Sequence, residues 1–188
     1  FQPELRRALE QIGRGRFFRS GQVISMEELE RLIDEIVAIS ESLSKTHTGA
    51  LIVFEREVGL NDYIDTGIAI DGLVSRELLG NIFIPNTPLH DGAVIIRENR
   101  IMAAGCLLPL TSDRSLSTEL GTRHRAAIGI SELADAVVVV VSEETGSISY
   151  TYGGHIYRHL DGNALRNVLK TFLNRTPQGL ANIFKWRP

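Results

Sequence analysis

Three short runs in the chain set charged, hydroxyl or glycine residues against stretches that are otherwise apolar. Leu89-His90-Asp91-Gly92-Ala93 puts an imidazole and a carboxylate just ahead of an apolar strand pattern. A carboxylate at a strand edge suits a divalent cation, and a glycine lets a ligand approach the backbone. Gly121-Thr122-Arg123-His124-Arg125 flanks an imidazole with two guanidiniums where a helical pattern starts. A helix start offers free N–H groups and a partial positive charge, and Thr122 adds a hydroxyl. Arginine grips phosphate oxygens through two parallel hydrogen bonds. Cations at that position oppose the helix's own field, a local conflict of the kind that accompanies function. Ser142-Glu143-Glu144 follows the run Val137–Val141. Two carboxylates and a hydroxyl at the end of a core strand can hold Mg²⁺ or Mn²⁺. Taken singly, each run also reads as something plainer: an Asp-Gly turn, a solvated basic turn, a charged hairpin rim. Together they are the parts of metal-dependent phosphate chemistry or of nucleotide binding.

Those runs must be carried on regular elements. Ser25-Met26-Glu27-Glu28 has the form of a capping box, and Met26, Leu29, Ile33, Ile36 and Val37 recur at helical spacing, so a helix runs from Ser25 to about Ser44. Strands are expected at Ala50–Glu55 and Gly67–Asp71, the second ending in the Asp71-Gly72 turn signal, and Ser75 caps a short helix through Leu79. Pro85-Asn86-Thr87-Pro88 is a rigid loop. Ala93–Arg97 and Ile101–Leu107 form a hairpin about Glu98-Asn99. Pro109 to Gly121 is irregular, and Thr122 is expected to cap a helix reaching about Ala134. Val137–Val141 is a β-branched core strand, which Thr145-Gly146 turns into Ser147–Tyr152 ahead of Gly153-Gly154. Asp161 caps a last helix, Asn163 to about Leu173. Strands alternating with helices, but with adjacent hairpins, predict one α/β domain with a mixed sheet flanked by helices.

Composition closes off other classes. At 188 residues, 43% hydrophobic and 23% charged, the chain suits a single globular domain. A formal net charge of −3 supplies no general attraction for nucleic acid, so no nucleic-acid partner is expected. The one cysteine, Cys106, rules out an internal disulfide and lies in an apolar stretch that suggests a buried, inert thiol. There is no Walker A motif, no GxGxxG after a strand, no GxSxG and no HExxH.

The run Pro88-Leu89-His90-Asp91-Gly92-Ala93-Val94 resembles the DGA motif of bacterial diadenylate cyclase domains. Leu120-Gly121-Thr122-Arg123-His124-Arg125-Ala126 resembles their RHR motif, and Val141-Ser142-Glu143-Glu144 a third family element. The resemblance extends over about Thr48 to Leu173. It implies the diadenylate cyclase fold and a metal-dependent condensation of two ATP into cyclic di-AMP and two pyrophosphates, with Mg²⁺ or Mn²⁺ as cofactor. Asp91 would sit at the ribose 3′-hydroxyl and help hold the metal, with His90 a possible extra ligand. Gly92 and Ala93 would let the nucleotide lie against backbone. Thr122, Arg123 and His124 would contact the triphosphate and Arg125 would shape the loop, so that Asp91, Arg123 and His124 form the catalytic set. Ser142 would touch phosphate, Glu143 or Glu144 would bind metal, and Leu108 would face adenine. The product is symmetric, so a homodimer presenting two ATP face to face is expected. A non-catalytic module binding ATP or a cyclic dinucleotide is the alternative, and a metal-dependent phosphohydrolase a further one.

The flanks complete the expectation. The first 19 residues carry five arginines against two glutamates. The opening Phe1-Gln2-Pro3-Glu4-Leu5-Arg6-Arg7 resembles the basic linker of membrane-anchored family members. Because it begins with Phe1, the chain is read as a fragment whose full form is anchored in the cell membrane with its catalytic domain on the cytoplasmic side. The division is then a juxtamembrane linker at 1–20, the catalytic domain at 21–175 and a tail at 176–188, in which Phe184 and Trp186 could dock. For such members a membrane regulator and a sugar-phosphate mutase are possible partners.

Overall fold

The computed structural model describes Leu5 and residues 24–174. Leu5 apart, the expected linker lies outside the described residues, as does the tail with Phe184 and Trp186. Helix α1 spans Met26–Lys45. Its capping box forms as expected: Ser25 Oγ accepts from the Glu28 amide at 3.1 Å, and Glu28 Oε2 accepts from the Ser25 amide at 2.8 Å. Strand β1 is Ala50–Phe54, followed by a one-turn helix α2, Asn61–Ile64, which the sequence pattern did not announce. Strand β2 is Ile68–Leu73, and α3 is Arg76–Ile82, capped by Ser75. Strands β3, Ala93–Arg97, and β4, Arg100–Cys106, form the expected hairpin. Helix α4 is Thr122–Leu133, β5 is Val137–Val141, β6 is Ile148–Tyr152, β7 is His155–Leu160 and α5 is Gly162–Leu173.

The strands make one sheet in the order β2-β4-β3-β1-β5-β6-β7. Only β1 and β3 run parallel, so the sheet is mixed. Strand alternation divides the core in two. Ile52, Phe54, Val94, Ile96, Val139 and Val141 face α1, α3 and α5. Leu51, Val53, Ala93, Ile95, Val138 and Val140 face α4 and α2. Val137–Val141 is wholly buried, and each such side chain contributes about 1.5–3 kcal/mol relative to exposure. This doubly covered centre fixes the ends of β3 and β5, from which the Asp91 and Ser142 runs emerge, and the start of α4, which carries the Arg123 run.

Three local expectations are corrected. Asp71 does not end β2. It adopts φ +51° at an irregularity between Ala69 and Gly72, its carboxylate meets Arg100 at 2.8 Å, and the strand continues to Leu73. An aspartate tolerates that conformation, so the turn signal makes a bulge instead. Thr122 does not cap α4: Gly121 is the N-cap, in extended conformation and without a side-chain cap bond, and Thr122 is the first helical residue. Strand β7 was not expected. Gly153 and Gly154, both at positive φ, form the two-residue turn of a β6–β7 hairpin that a polar strand completes.

Candidate functional site

The register explains why distant runs share one end of the sheet. Ile52 pairs with Val94 and Ala50 with Val141. The residues before β1, the residues before β3 and the residues after β5 therefore leave the sheet on the same side. β3 and β5 flank β1, so the Asp91 turn and the Ser142 turn stand about two strand spacings, roughly 10 Å, apart.

The second and third runs meet. Gly121, Thr122, Arg123 and His124 at the start of α4 line a pocket with Ser142, Glu143 and Glu144; Val141 and Glu119 complete it. Arg123 Nη1 donates to Glu143 Oε2 at 2.8 Å, so the arginine holds an acid from the neighbouring run rather than standing free. The Arg123 side chain is 20% exposed and that of Glu143 63%, which leaves the pair open to solvent on its carboxylate side. Arg123 Nε is buried without a hydrogen-bond partner. The guanidinium lies against Gly49, where an added Cβ would come within 2.5 Å of Nη1. No side chain caps Gly121, and the space above its Cα is open, so the first-turn amides of α4 have no side-chain cap.

The acidic turn is held from behind. Ser142 Oγ accepts from the amides of Glu144 and Thr145, both at 3.2 Å, which leaves its own proton available for donation. Gly146, at φ +72°, packs on the Ser44 carbonyl and the His47 ring, and Ser44 Oγ donates to the Gly146 carbonyl at 2.5 Å. The end of α1 thus fixes the turn that carries Glu143 and Glu144.

His124 is 5% exposed. Burial pushes its pKa below the ordinary histidine value, and the nearby charges of Arg158 and Arg123 act in the same direction. The ring is therefore neutral at pH 7 and offers one donor and one acceptor. Arg125 does not line the pocket; its carbonyl accepts from the Thr111 amide at 3.1 Å, and its charge bears on Asp113 of the preceding loop. Gly129 in mid-helix lets the same loop cross, since a Cβ there would meet the Pro109 carbonyl.

The first run stands beside this pocket rather than in its lining. Asp91 is exposed. Gly92, at φ +118°, lies on the β4 backbone, and an added Cβ would be 2.7 Å from the Cys106 carbonyl oxygen. Ala93 is fully buried as the first residue of β3. His90 Nδ1 meets the Thr87 carbonyl at 2.6 Å, which directs Nε2 away from that contact. Leu108 is half-buried against the α4-side core, next to Leu107, which is exposed. Cys106 is buried, which raises its thiol pKa to about 11, in keeping with the inert role expected of it.

Among the described residues no three His, Cys, Asp or Glu side chains gather to hold a metal ion. The donors still fit Mg²⁺ or Mn²⁺. Magnesium takes one or two carboxylates and completes its shell with water and substrate phosphate, and Asp91, Glu143 and Glu144 are oxygen donors of that kind at one sheet end.

Sequence reasoning missed three contributors. Gly49 supplies the bed for Arg123, Glu119 lines the pocket, and Arg158 on β7 meets Glu119 at 3.3 Å. Thr48-Gly49 ahead of an apolar strand was a usable signal for the first. Arg158 had none once its strand went unread.

A mixed sheet with an arginine- and carboxylate-lined pocket beyond its strand ends defines an α/β domain with a polar pocket where such sheets place their ligands. Comparison with known proteins narrows the class. The DAC family, described as the DisA bacterial checkpoint controller nucleotide-binding domain, matches residues 37–156. The cyclic di-AMP synthase CdaA of Bacillus subtilis strain 168 is 51% identical over all of this chain and 69% of its own length. A diadenylate cyclase of Listeria monocytogenes serotype 1/2a is 50% identical over the same shares. The crystal structure of a double cysteine mutant of DacA from Staphylococcus aureus matches with a TM-score of 0.77 and 49% identity, covering 80% of this chain and 99% of that one. A hypothetical membrane spanning protein from Bacillus cereus matches with a TM-score of 0.65 and 46% identity, over 68% of this chain and 62% of that one. The chain belongs to the DAC family, the diadenylate cyclases. Among the described residues no helix is long and apolar enough to cross a membrane.

Proposed function

We propose that the chain condenses two ATP into cyclic di-AMP and two pyrophosphates, with Mg²⁺ or Mn²⁺, across a face-to-face homodimer. The observation that carries this reading is the meeting of Arg123, His124, Ser142 and Glu143 in one pocket at the sheet end that also bears Asp91. The pocket is about 170 Å³, below the roughly 300 Å³ at which sites for whole small molecules begin. Its size suits the polyphosphate end of a nucleotide, with ribose and base lying outward toward Asp91 and Leu108.

In this reading Arg123 exchanges Glu143 for phosphate oxygens. Its orphaned Nε and its open carboxylate side both favour the exchange. Neutral His124 and the Ser142 hydroxyl give hydrogen bonds without adding charge, and the first-turn amides of α4 give more. Asp91 faces the 3′-hydroxyl of the attacking ribose. That oxygen gives up its proton to the Asp91 carboxylate or to solvent as it forms a bond to the α-phosphorus of the other ATP, the bond from this phosphorus to the β-phosphate oxygen breaks, and pyrophosphate leaves. Asp91, Glu143 and Glu144 would hold the cation, which when bound offsets phosphate charge. Each ATP is at once nucleophile and electrophile, so two sites must oppose each other, and a two-fold dimer does this with one surface. Membrane attachment through a segment outside this chain accords with the naming of the Bacillus cereus neighbour.

Incubation with ATP and Mg²⁺ or Mn²⁺, followed by mass analysis, tests the reading. Cyclic di-AMP with pyrophosphate is expected. AMP or inorganic phosphate would identify a hydrolase, and unchanged ATP that nevertheless binds would leave a binding module. On serial dilution, specific activity should fall once the dimer dissociates, and a constant rate per protomer below that point would exclude the dimer requirement.

A further inference from the structure

The pocket has an electrostatic difficulty that the family motifs leave unsolved. Its lining includes three carboxylates, Glu119, Glu143 and Glu144, against one guanidinium, that of Arg123. A polyphosphate cannot enter favourably while those carboxylates stand uncompensated. Arg123 answers Glu143 until phosphate takes its place, after which a cation can answer Glu143 as well as Glu144. Glu119 lies outside all three motifs, and its side chain is 75% exposed at the rim.

The group that answers Glu119 comes from β7. Strand β7 is read off β6 in simple alternation from His155 to Tyr157, where Tyr157 stacks on Tyr150 on the α5 side. One extra residue then enters: Ile148 pairs with Leu160 and Tyr150 with Tyr157, so two steps on β6 face three on β7. His159, at φ +62°, absorbs the difference. Leu160 consequently joins the core on the α1 and α5 side, while Arg158, one step past Tyr157, faces the opposite side by ordinary alternation, toward the start of α4. Arg158 Nη1 donates to Glu119 Oε2 at 3.3 Å, and its Nε is buried without a hydrogen-bond partner, as is that of Arg123.

We propose that Arg158 is a positioning residue for the polyphosphate: from β7 it holds and neutralises Glu119 at the pocket rim, so that this carboxylate does not repel the incoming phosphates. The inference rests on the reading of the pocket as the ATP phosphate site. Arg158 acts through Glu119, and removing Arg158 harms binding because it leaves a bare acid there.

The test is a two-residue cycle measured by steady-state kinetics and by calorimetric titration of ATP with Mg²⁺. In R158Q the KM and Kd for ATP should rise on the order of tenfold with kcat within about twofold, and added salt should shrink the effect, as for an exposed rim charge. E119Q alone should bind ATP as well as the wild type or better. The E119Q/R158Q double variant should recover affinity to within about threefold of wild type, since the acid that repels is gone. A purely structural role predicts no such recovery. Wild-type affinity in R158Q, or a double variant as impaired as R158Q, overturns the proposal. If R158Q does not fold, E119Q still decides, because weaker ATP binding in that variant contradicts the account. Should the wild type bind ATP yet make no cyclic di-AMP, the cyclase reading fails while the Kd values continue to judge Arg158; no ATP binding at all overturns both.

Discussion

Asp91 and Arg123 share one end of the sheet but are held there by different means. The Asp91 turn is fixed by backbone: Gly92 lies at φ +118° on the Gly105–Cys106 chain, and no hydrogen bond or ion pair engages the Asp91 carboxylate among the described residues. The Arg123 pocket is fixed by charge: its guanidinium rests on Gly49 and pairs with Glu143, whose turn is anchored to α1. A backbone-built turn keeps a carboxylate unsatisfied and ready for a proton or a cation. A charge-built pocket keeps its cation solvated by an acid that phosphate can replace. The first suits a reacting centre, the second a grip on what must enter and leave.

The sharpest way to break this contrast is D91N, which removes the charge without changing the shape. Turnover should fall by about 10²-fold or more, the scale of losing one charge aligned with a transition state. Near-normal rates would remove Asp91 from the chemistry.

The two glycines come next. In G92A the added methyl meets backbone at 2.7 Å and the residue must hold φ +118°, so stability should drop by about 1–3 kcal/mol with activity lost. In G49A the methyl meets only the far end of Arg123, which can move. Thermal unfolding should then change by less than about 1 kcal/mol while KM for ATP rises several-fold. Equal stability losses in both variants would erase the distinction between a backbone-built and a charge-built half.

The contrast also explains what could be read in the sequence. The capping box of α1, the valine strand and the β3–β4 hairpin are local patterns, and each formed where its residues indicated. The three chemical runs were legible because polar residues interrupted apolar stretches. Three features depended on tertiary context. Asp71-Gly72 reads as a turn until Arg100 across the sheet secures the bulge. β7 alternates His-Ile-Tyr-Arg-His-Leu with no run of core residues, and it exists because Gly153-Gly154 folds it onto β6. The Arg123–Glu143 pair joins residues twenty positions apart whose meeting is set by the packing of α4 on β5 and β6.

A smaller effect concerns pH. Burial holds the His124 pKa below its unfolded value, so on acidification the unfolded chain takes up this proton first. The contribution of neutral His124 is complete above about pH 6.5 and declines as pH falls below it. Denaturant midpoints measured from pH 7.5 downward should show this loss, and H124Q should flatten that limb. A wild-type midpoint that rises on acidification through this range would contradict the burial of a neutral ring.

The division of labour between the two halves is tested most directly by titrating ATP with Mg²⁺ calorimetrically into D91N and R123Q side by side. The account predicts that D91N binds ATP within a few-fold of wild type, while R123Q loses about ten- to a hundredfold in affinity, the worth of a charged hydrogen bond. Wild-type affinity in R123Q, or an equal loss in both variants, would contradict it.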